Sequence, residues 1–174
     1  MKVVTEAKTK EEALKKALDE LKVNENEIFY KEESIKGKLF KSGSVKIYAY
    51  TDDEILESIK KFITEIVTNM GLEVNFETNI RDRQFNLKMF SNNNAILIGK
   101  NARTMKAIEM LARQKIQVEY GIRVRIFLDV ENYNEKRIKQ LERLAITTAK
   151  EVSRSKIEVA LDSMNSYERR IIHN

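Results

Sequence analysis

The 174-residue sequence has no cysteine, no proline and a single histidine. Without cysteine there are no disulfides, thiolate metal sites or cysteine nucleophiles, which suits a reducing cytosol. One histidine argues against an imidazole-built metal site and against a Ser-His-Asp triad. With no proline, boundaries between units have to be read from glycine, asparagine, aspartate and charge. Long apolar runs are missing too. Nothing approaches the roughly 18 residues of a membrane span, and the stretch Met1 to Glu6 carries no signal-peptide core. No P-loop, carboxylate pair or metal-ligand spacing stands out, so neither catalysis nor a cofactor or metal is expected. What is present is charge: 32 Lys and Arg against 27 Asp and Glu, a net +5 and a pI near 9.2. That excess permits a polyanionic partner without requiring one.

Residues 1–50 read as a first unit. Val3 to Ala7 suggests a strand. Thr9 and Glu12 spell a capping box ahead of a helix striped by Ala13, Leu14, Ala17, Leu18 and Leu21. Ile28 to Lys31 and Val45 to Tyr50 read as two further strands. Between them Ser34 to Ser44 is a Gly- and Lys-containing loop bearing Leu39 and Phe40. The unit holds 11 Lys, no Arg and 9 acids. So short a segment encloses a small core, and it either packs on a neighbour or serves as a docking module. Thr51 and Glu54 then open the longest clean helix, with Ile55, Leu56, Ile59, Phe62, Ile63, Ile66, Val67 and Met70 at helical spacing until Gly71. Leu72, Val74 and Phe76 alternate as a strand. A turn over Asn79 to Asp82 leads into a second strand, where Phe85, Leu87 and Met89 alternate with polar residues.

The stretch from Ala95 to Leu111 is the most suggestive. An apolar run, Ile96-Leu97-Ile98, stops at Gly99. Lys100 and Asn101 follow, and from Ala102 a new segment sets Met105, Ile108, Leu111 and Ala112 on one helix face. This predicts two helices joined by a tight Gly-Lys-Asn-Ala turn. Gly99 would allow a close backbone approach. The second helix would offer free N–H groups and its positive dipole end, with Lys100 and Arg103 adding full charge. Such a turn suits a phosphate, although an ordinary helix-helix corner has the same spelling. Ile122, Val124, Ile126, Leu128 and Val130 then alternate with Arg123, Arg125, Phe127 and Asp129 as a strand.

Strand, helix, basic turn, helix, strand resembles the K-homology (KH) nucleic-acid-binding fold, whose GxxG loop clamps the backbone of about four nucleotides. A helix and strand ahead of that core resemble the bacterial, type II arrangement. Ala102 stands where the pattern has glycine. The resemblance implies RNA contacts from Gly99, Lys100, Asn101, Ala102 and Arg103, with an apolar groove beside Ile96 and Ile98 for bases. Arg123 and Arg125 would reach the backbone if their strand face is open.

In residues 131–174, Asn132-Tyr133-Asn134 precedes a helix with Ile138, Leu141, Leu144, Ala145, Thr148, Ala149 and Val152 on one face. Ile157, Val159 and Leu161 alternate as a strand. Asn165 and Glu168 spell a further capping box, starting a helix on which Arg169 and His173 share a face. A cation and an imidazole so placed suit a phosphate and a stacked base. A solvated terminal helix with a lone histidine has the same spacing.

Arg169-x-x-x-His173 after Met164-Asn165-x-Tyr167-Glu168, and Val130-Glu131-Asn132-Tyr133 before a charged helix, resemble the single-stranded nucleic-acid-binding domain named for its Arg-xxx-His motif. With the KH-like segment and a Lys-Gly-x-Leu-Phe loop (Lys36 to Phe40), the order resembles the bacterial Jag family, the SpoIIIJ-associated proteins, over essentially the whole chain. The resemblance implies an α+β chain of three small domains in series. These are a Jag N-terminal module at 1–50, a type II KH domain (a three-stranded sheet packed with helices) at 51–130, and an Arg-xxx-His domain at 131–174, expected to be truncated at its C-terminus. It implies a cytoplasmic, non-enzymatic, single-stranded RNA-binding protein, a post-transcriptional regulator linked to cell elongation and division. Arg169, Arg170 and His173 would be further RNA contacts, and a smaller KH-domain protein a partner. The alternative is a docking adaptor for a YidC-type membrane insertase or cell-envelope machinery, engaging a membrane-associated protein through residues 1–50, with RNA binding secondary. Besides Ala102, the sequence departs from the family in having Ser163 and Ser166 where proline is common, which loosens the helix start.

Overall fold

The computed structural model describes residues 2–36 and 43–174; Leu39 and Phe40, the apolar pair of the first unit, lie outside the described residues. The protein is α+β; the described residues form two three-stranded sheets with helices packed against them. Among the described residues no helix is long and apolar enough to cross a membrane.

The first sheet contains β1 (Lys2–Ala7), β2 (Ile28–Ile35) and β3 (Ser44–Thr51), in the order β1-β3-β2 and antiparallel throughout. In β1, Val3, Thr5 and Ala7 face inward and Lys2, Val4 and Glu6 outward, the period-two pattern of a sheet covered on one side. The cover is α1 (Lys10–Leu21), started by Thr9, whose side chain accepts the Glu12 N–H. Thr5 is buried, and its hydroxyl is satisfied by donating to the Ala13 carbonyl at 2.6 Å. Ala13, Ala17 and Ala49 are small, so the helix lies close on the sheet and the enclosed core is thin.

Phe29 and Tyr50 instead belong to the core of the central unit. Phe29 meets Phe85 at 5.8 Å between ring centroids, and Tyr50 meets Tyr120 edge-on at 4.7 Å. Packing on a neighbour, one of the two alternatives for a small unit, is therefore how the first unit completes its burial.

The central unit begins without a gap. Thr51 ends β3 and caps α2 (Asp52–Asn69), accepting the Glu54 N–H. Ile55, Ile59, Ile63 and Val67, spaced by four, are fully buried. β4 (Val74–Arg81) and β5 (Gln84–Ser91) form an antiparallel hairpin, and β6 (Arg125–Val130) joins β5 in parallel, giving the order β4-β5-β6. The hairpin turns at Asp82 and Arg83, both left-handed (φ 51° and 59°), later than the Asn79 to Asp82 turn suggested by sequence. Two consecutive positive-φ residues match the twist of the flanking strands. α3 (Asn94–Ile98) and α4 (Arg103–Tyr120) make the crossover between the parallel strands, as parallel pairing demands. β6 starts at Arg125 rather than Ile122 because its partner β5 begins pairing at Gln84. Ile122 and Val124 are buried all the same.

α5 (Tyr133–Ser155) leaves β6 through Glu131 and Asn132, both left-handed (φ 49° and 60°). Its first turn is capped from the strand: Asp129 Oδ1 accepts the Asn134 backbone N–H at 3.2 Å and its Nδ2 at 3.0 Å. α6 (Ser166–His173) packs back on α5. The strand expected over Ile157, Val159 and Leu161 does not form. The alternation is there, but no ladder among the described residues pairs the segment, and Ile157 and Val159 are exposed. A strand needs a partner as well as a pattern.

Candidate nucleic-acid interface

Between α3 and α4, residues 100–102 form a single 3₁₀ turn. Gly99 opens it with φ 69° and ψ 177°, a region essentially closed to other residues. A Cβ there would lie 2.1 Å from Thr104 Oγ1 and 2.8 Å from Thr104 Cβ. The glycine is demanded by the turn closing on Thr104, whose side chain and backbone N take the space a Cβ would need. Asn101 (φ 54°) and Ala102 (φ 59°) are both left-handed. Asparagine tolerates that conformation, whereas for alanine it costs roughly 1–2 kcal/mol. The position that departs from the glycine pattern does require positive φ. Ala102 adopts it as a buried residue, 4% exposed.

The turn leaves Lys100 and Arg103 exposed, and neither makes an ion pair among the described residues. Among the described residues no side chain caps the start of α4. An 18-residue helix therefore presents its positive end beside two cations. Of the groove residues, Ile96 is exposed, while Ile98 is half-buried against the central core and Leu97 is fully buried. Arg123 and Arg125 are exposed.

The second candidate site lies on α6. Asn165 Oδ1 accepts the Glu168 N–H at 2.9 Å, and Glu168 Oε2 accepts the Asn165 N–H at 3.1 Å, completing the box that the sequence spells. Arg169 folds back, donating through Nη1 to the Met164 carbonyl at 3.0 Å and through Nη2 to Ser166 Oγ at 3.5 Å. Arg169 and His173 do share a face, over a hollow of about 430 Å³ lined also by Leu161, Asp162 and Met164. Arg170 is exposed.

The turn and this pair open onto different hollows. Tyr167, Glu168 and Ile171 face a separate cleft of about 410 Å³, shared with Asn101 and Ala102 of the turn, Lys106 of α4, Phe127 of β6 and Ile138 of α5. Sequence reasoning missed this cleft, and with it Lys106, Phe127, Arg137 and Tyr167. One signal was visible: Phe127 is the aromatic between Arg125 and Asp129 on the polar side of β6. The wall of the cleft is fixed by Arg137, whose Nε donates to the buried Glu168 carboxylate at 2.9 Å. Among the described residues no three His, Asp or Glu side chains gather as metal ligands would.

Residues 139–174 match the R-3-H domain family, the Arg-xxx-His domain. The chain is 34% identical to the RNA-binding protein KhpB of Clostridium symbiosum, over 98% of this chain and 79% of that protein. It is 30% identical to the RNA-binding protein KhpB of Lactiplantibacillus plantarum over 70% of this chain, and 39% identical to that of Bacillus subtilis over 46%. In each of these two the matched part is 38% of the relative's length.

Proposed function

This chain belongs to the KhpB family, and on that premise we propose that it is an RNA-binding protein that holds single-stranded RNA through the turn at Gly99 to Ala102. The observation that carries the reading is the start of α4. Two exposed cations without ion-pair partners among the described residues, Lys100 and Arg103, flank a helix N-terminus with no side-chain cap. Phosphate is the ligand such a terminus favours. The order helix, hairpin, two helices, parallel strand supports treating the unit as a type II KH domain. The match of residues 139–174 to the Arg-xxx-His domain family supports a second contact at Arg169, Arg170 and His173. The Jag-family resemblance extends the proposal to a cytoplasmic, non-enzymatic regulator of cell elongation and division with a smaller KH protein as partner.

The test is a mobility-shift titration with single-stranded RNA, comparing the full chain with a Lys100→Asp, Asn101→Asp variant. Two negative charges at this exposed turn should weaken binding roughly tenfold or more with the melting temperature unchanged. Unchanged affinity removes the turn from the mechanism. Docking of a protein through residues 1–50 is the other reading, but its apolar signal, Leu39-Phe40, lies outside the described residues. Deleting the segment would not separate the two, because Phe29 and Tyr50 are buried in the central core.

A further inference from the structure

We propose that the cleft between the turn and α6 is a pocket for one unstacked nucleobase, so that the central unit and the α5–α6 pair grip a single strand jointly. The inference rests on the RNA-binding reading and adds to it a site that neither motif forms alone, since residues of the turn and of the start of α6 meet there with Lys106, Phe127 and Ile138. Most of the wall comes from α5 and α6, and the Arg169–His173 face lies on the other side of α6.

The cleft, at about 410 Å³, has the size of a small-molecule pocket. Of the three aromatic residues that border it, Tyr133 is partly buried against the central core, while Phe127 (43% exposed) and Tyr167 (63% exposed) stay open to solvent. Neither exposure serves the core. Aromatic faces offered to solvent beside a cationic edge are what single-stranded nucleic acids use, because every base has a π-face to stack. The cations continue from the turn, with Lys106 lying one helical turn beyond Arg103 and lining the cleft itself. Two amides stand ready to read a base edge. Asn165 spends Oδ1 on the cap of α6, and its Nδ2 makes no hydrogen bond among the described residues; the Asn101 side chain makes none either. An apolar protein side chain docking in the same space would leave those cations and amides without counterparts. A nucleotide matches the apolar floor, the amides and the charge together. Arg137 is committed to Glu168 and acts as the wall that holds Tyr167 and Asn165 in place.

The experiment scans 2-aminopurine along a single-stranded oligonucleotide bound to the full chain, and repeats the titration with Phe127→Ala, Tyr167→Ala and Tyr167→Phe. One position of the strand should show strong fluorescence quenching. That quenching should be lost in both alanine variants and kept in Tyr167→Phe, which retains the ring. Each alanine variant should lose roughly 5- to 150-fold in affinity with an unchanged melting temperature. Tyr167→Phe serves as the folding control should Tyr167→Ala be unstable. If the Lys100→Asp, Asn101→Asp variant fails to bind while both alanine variants bind and quench as the unaltered protein does, the pocket is refuted and the RNA-binding reading stands. If the unaltered protein binds no RNA, both fall. The absence of a quenched position in a chain that does bind RNA overturns the pocket without recourse to any variant.

Discussion

Arg137 in α5 donates its Nε–H to Glu168 Oε1 in α6 at 2.9 Å, while the other oxygen of Glu168 accepts the Asn165 N–H at 3.1 Å. One carboxylate thus starts α6 and ties it to α5. A helix of eight residues is marginal alone, so the tie decides whether Arg169 and His173 have a face to share. Burial works against the charged form of Glu168. The hydrogen bonds from Arg137 and Asn165, with the charges of Arg137 and Lys106, outweigh it and hold the carboxyl below its ordinary range.

A carboxyl with a depressed folded pKa contributes stability above its unfolded value of about 4.3, and loses it as pH falls through the folded value. Glu168→Gln keeps an acceptor for the cap but removes the charge. It should cost about 1–3 kcal/mol at neutral pH and converge with the unaltered protein in acid. Denaturant unfolding across pH measures this. A gap of constant size at every pH would show that the charge itself contributes nothing.

Gly99 faces two separate obstacles to substitution. Its φ of 69° with ψ of 177° costs any other residue roughly 1–3 kcal/mol. A Cβ would also lie 2.1 Å from Thr104 Oγ1. Gly99→Ala should therefore destabilise by at least about 2 kcal/mol. Thr104→Ala removes the hydroxyl but leaves Thr104 Cβ at 2.8 Å and its backbone N at 3.0 Å, so the double variant should recover only part of the loss. Full recovery in thermal unfolding would mean that the hydroxyl clash was the whole cost.

The parts of the fold that were legible in the sequence depend on near neighbours. The Ile55 to Val67 stripe, the break at Gly99 and the Asn165–Glu168 box each follow from residues three or four apart, and each forms. What was hidden depends on distant partners. The Ile157 to Leu161 alternation spells a strand, but a ladder requires a second strand. Asp129 caps α5 from a neighbouring element, where sequence offered Asn132-Tyr133-Asn134 as the helix entry. Phe29 reads as part of a small strand, and nothing local reveals that its ring meets Phe85. In the site, the turn was visible for the same local reason, whereas the cleft beside it is assembled from α4, β6, α5 and α6.

Ala102 is a balance of opposed terms. Relief of its left-handed conformation by glycine is worth roughly 1–2 kcal/mol. Against that stand a buried methyl worth about 0.8 kcal/mol and the larger unfolded-state freedom of glycine, about 0.4–1 kcal/mol. Ala102→Gly should accordingly shift stability by less than about 1 kcal/mol, and RNA affinity should stay within about threefold. Calorimetry and the same mobility-shift titration check both. A large gain in affinity would show that the alanine methyl hinders the ligand.

Arg83, at the hairpin turn, joins the first and central units. Its guanidinium carbon lies 4.4 Å from the centre of the Phe29 ring, and its Nη2 donates to the Ile28 carbonyl at 3.0 Å. The same charge faces Asp52, at the first residue of α2. Burial pushes the Asp52 carboxyl up, the Arg83 charge pulls it down, and Asp53 and Glu27 push it up further, for a net rise. Asp52 Oδ1 is buried without a hydrogen-bond partner among the described residues. A carboxyl whose folded pKa exceeds its unfolded value of about 3.9 destabilises once ionised: the penalty grows as pH rises from the unfolded value to the folded one, is complete above the folded value and is absent below both. The positive end of α2 favours the carboxylate by about 0.3–1 kcal/mol, which opposes this, but Thr51 already caps the helix and the orphaned oxygen remains. Asp52→Asn should therefore melt higher than the unaltered protein at pH 7, with the advantage vanishing below about pH 3.5. Arg83→Ala should melt lower at pH 7, since it strips Asp52 of the facing cation and the Phe29 ring of its cover. Combining the two should cost less than the sum, because asparagine no longer needs the guanidinium. Melting curves of the four proteins at pH 7 and pH 3 decide it: a lower midpoint for Asp52→Asn at pH 7 would mean that the helix end outweighs the burial of the charge.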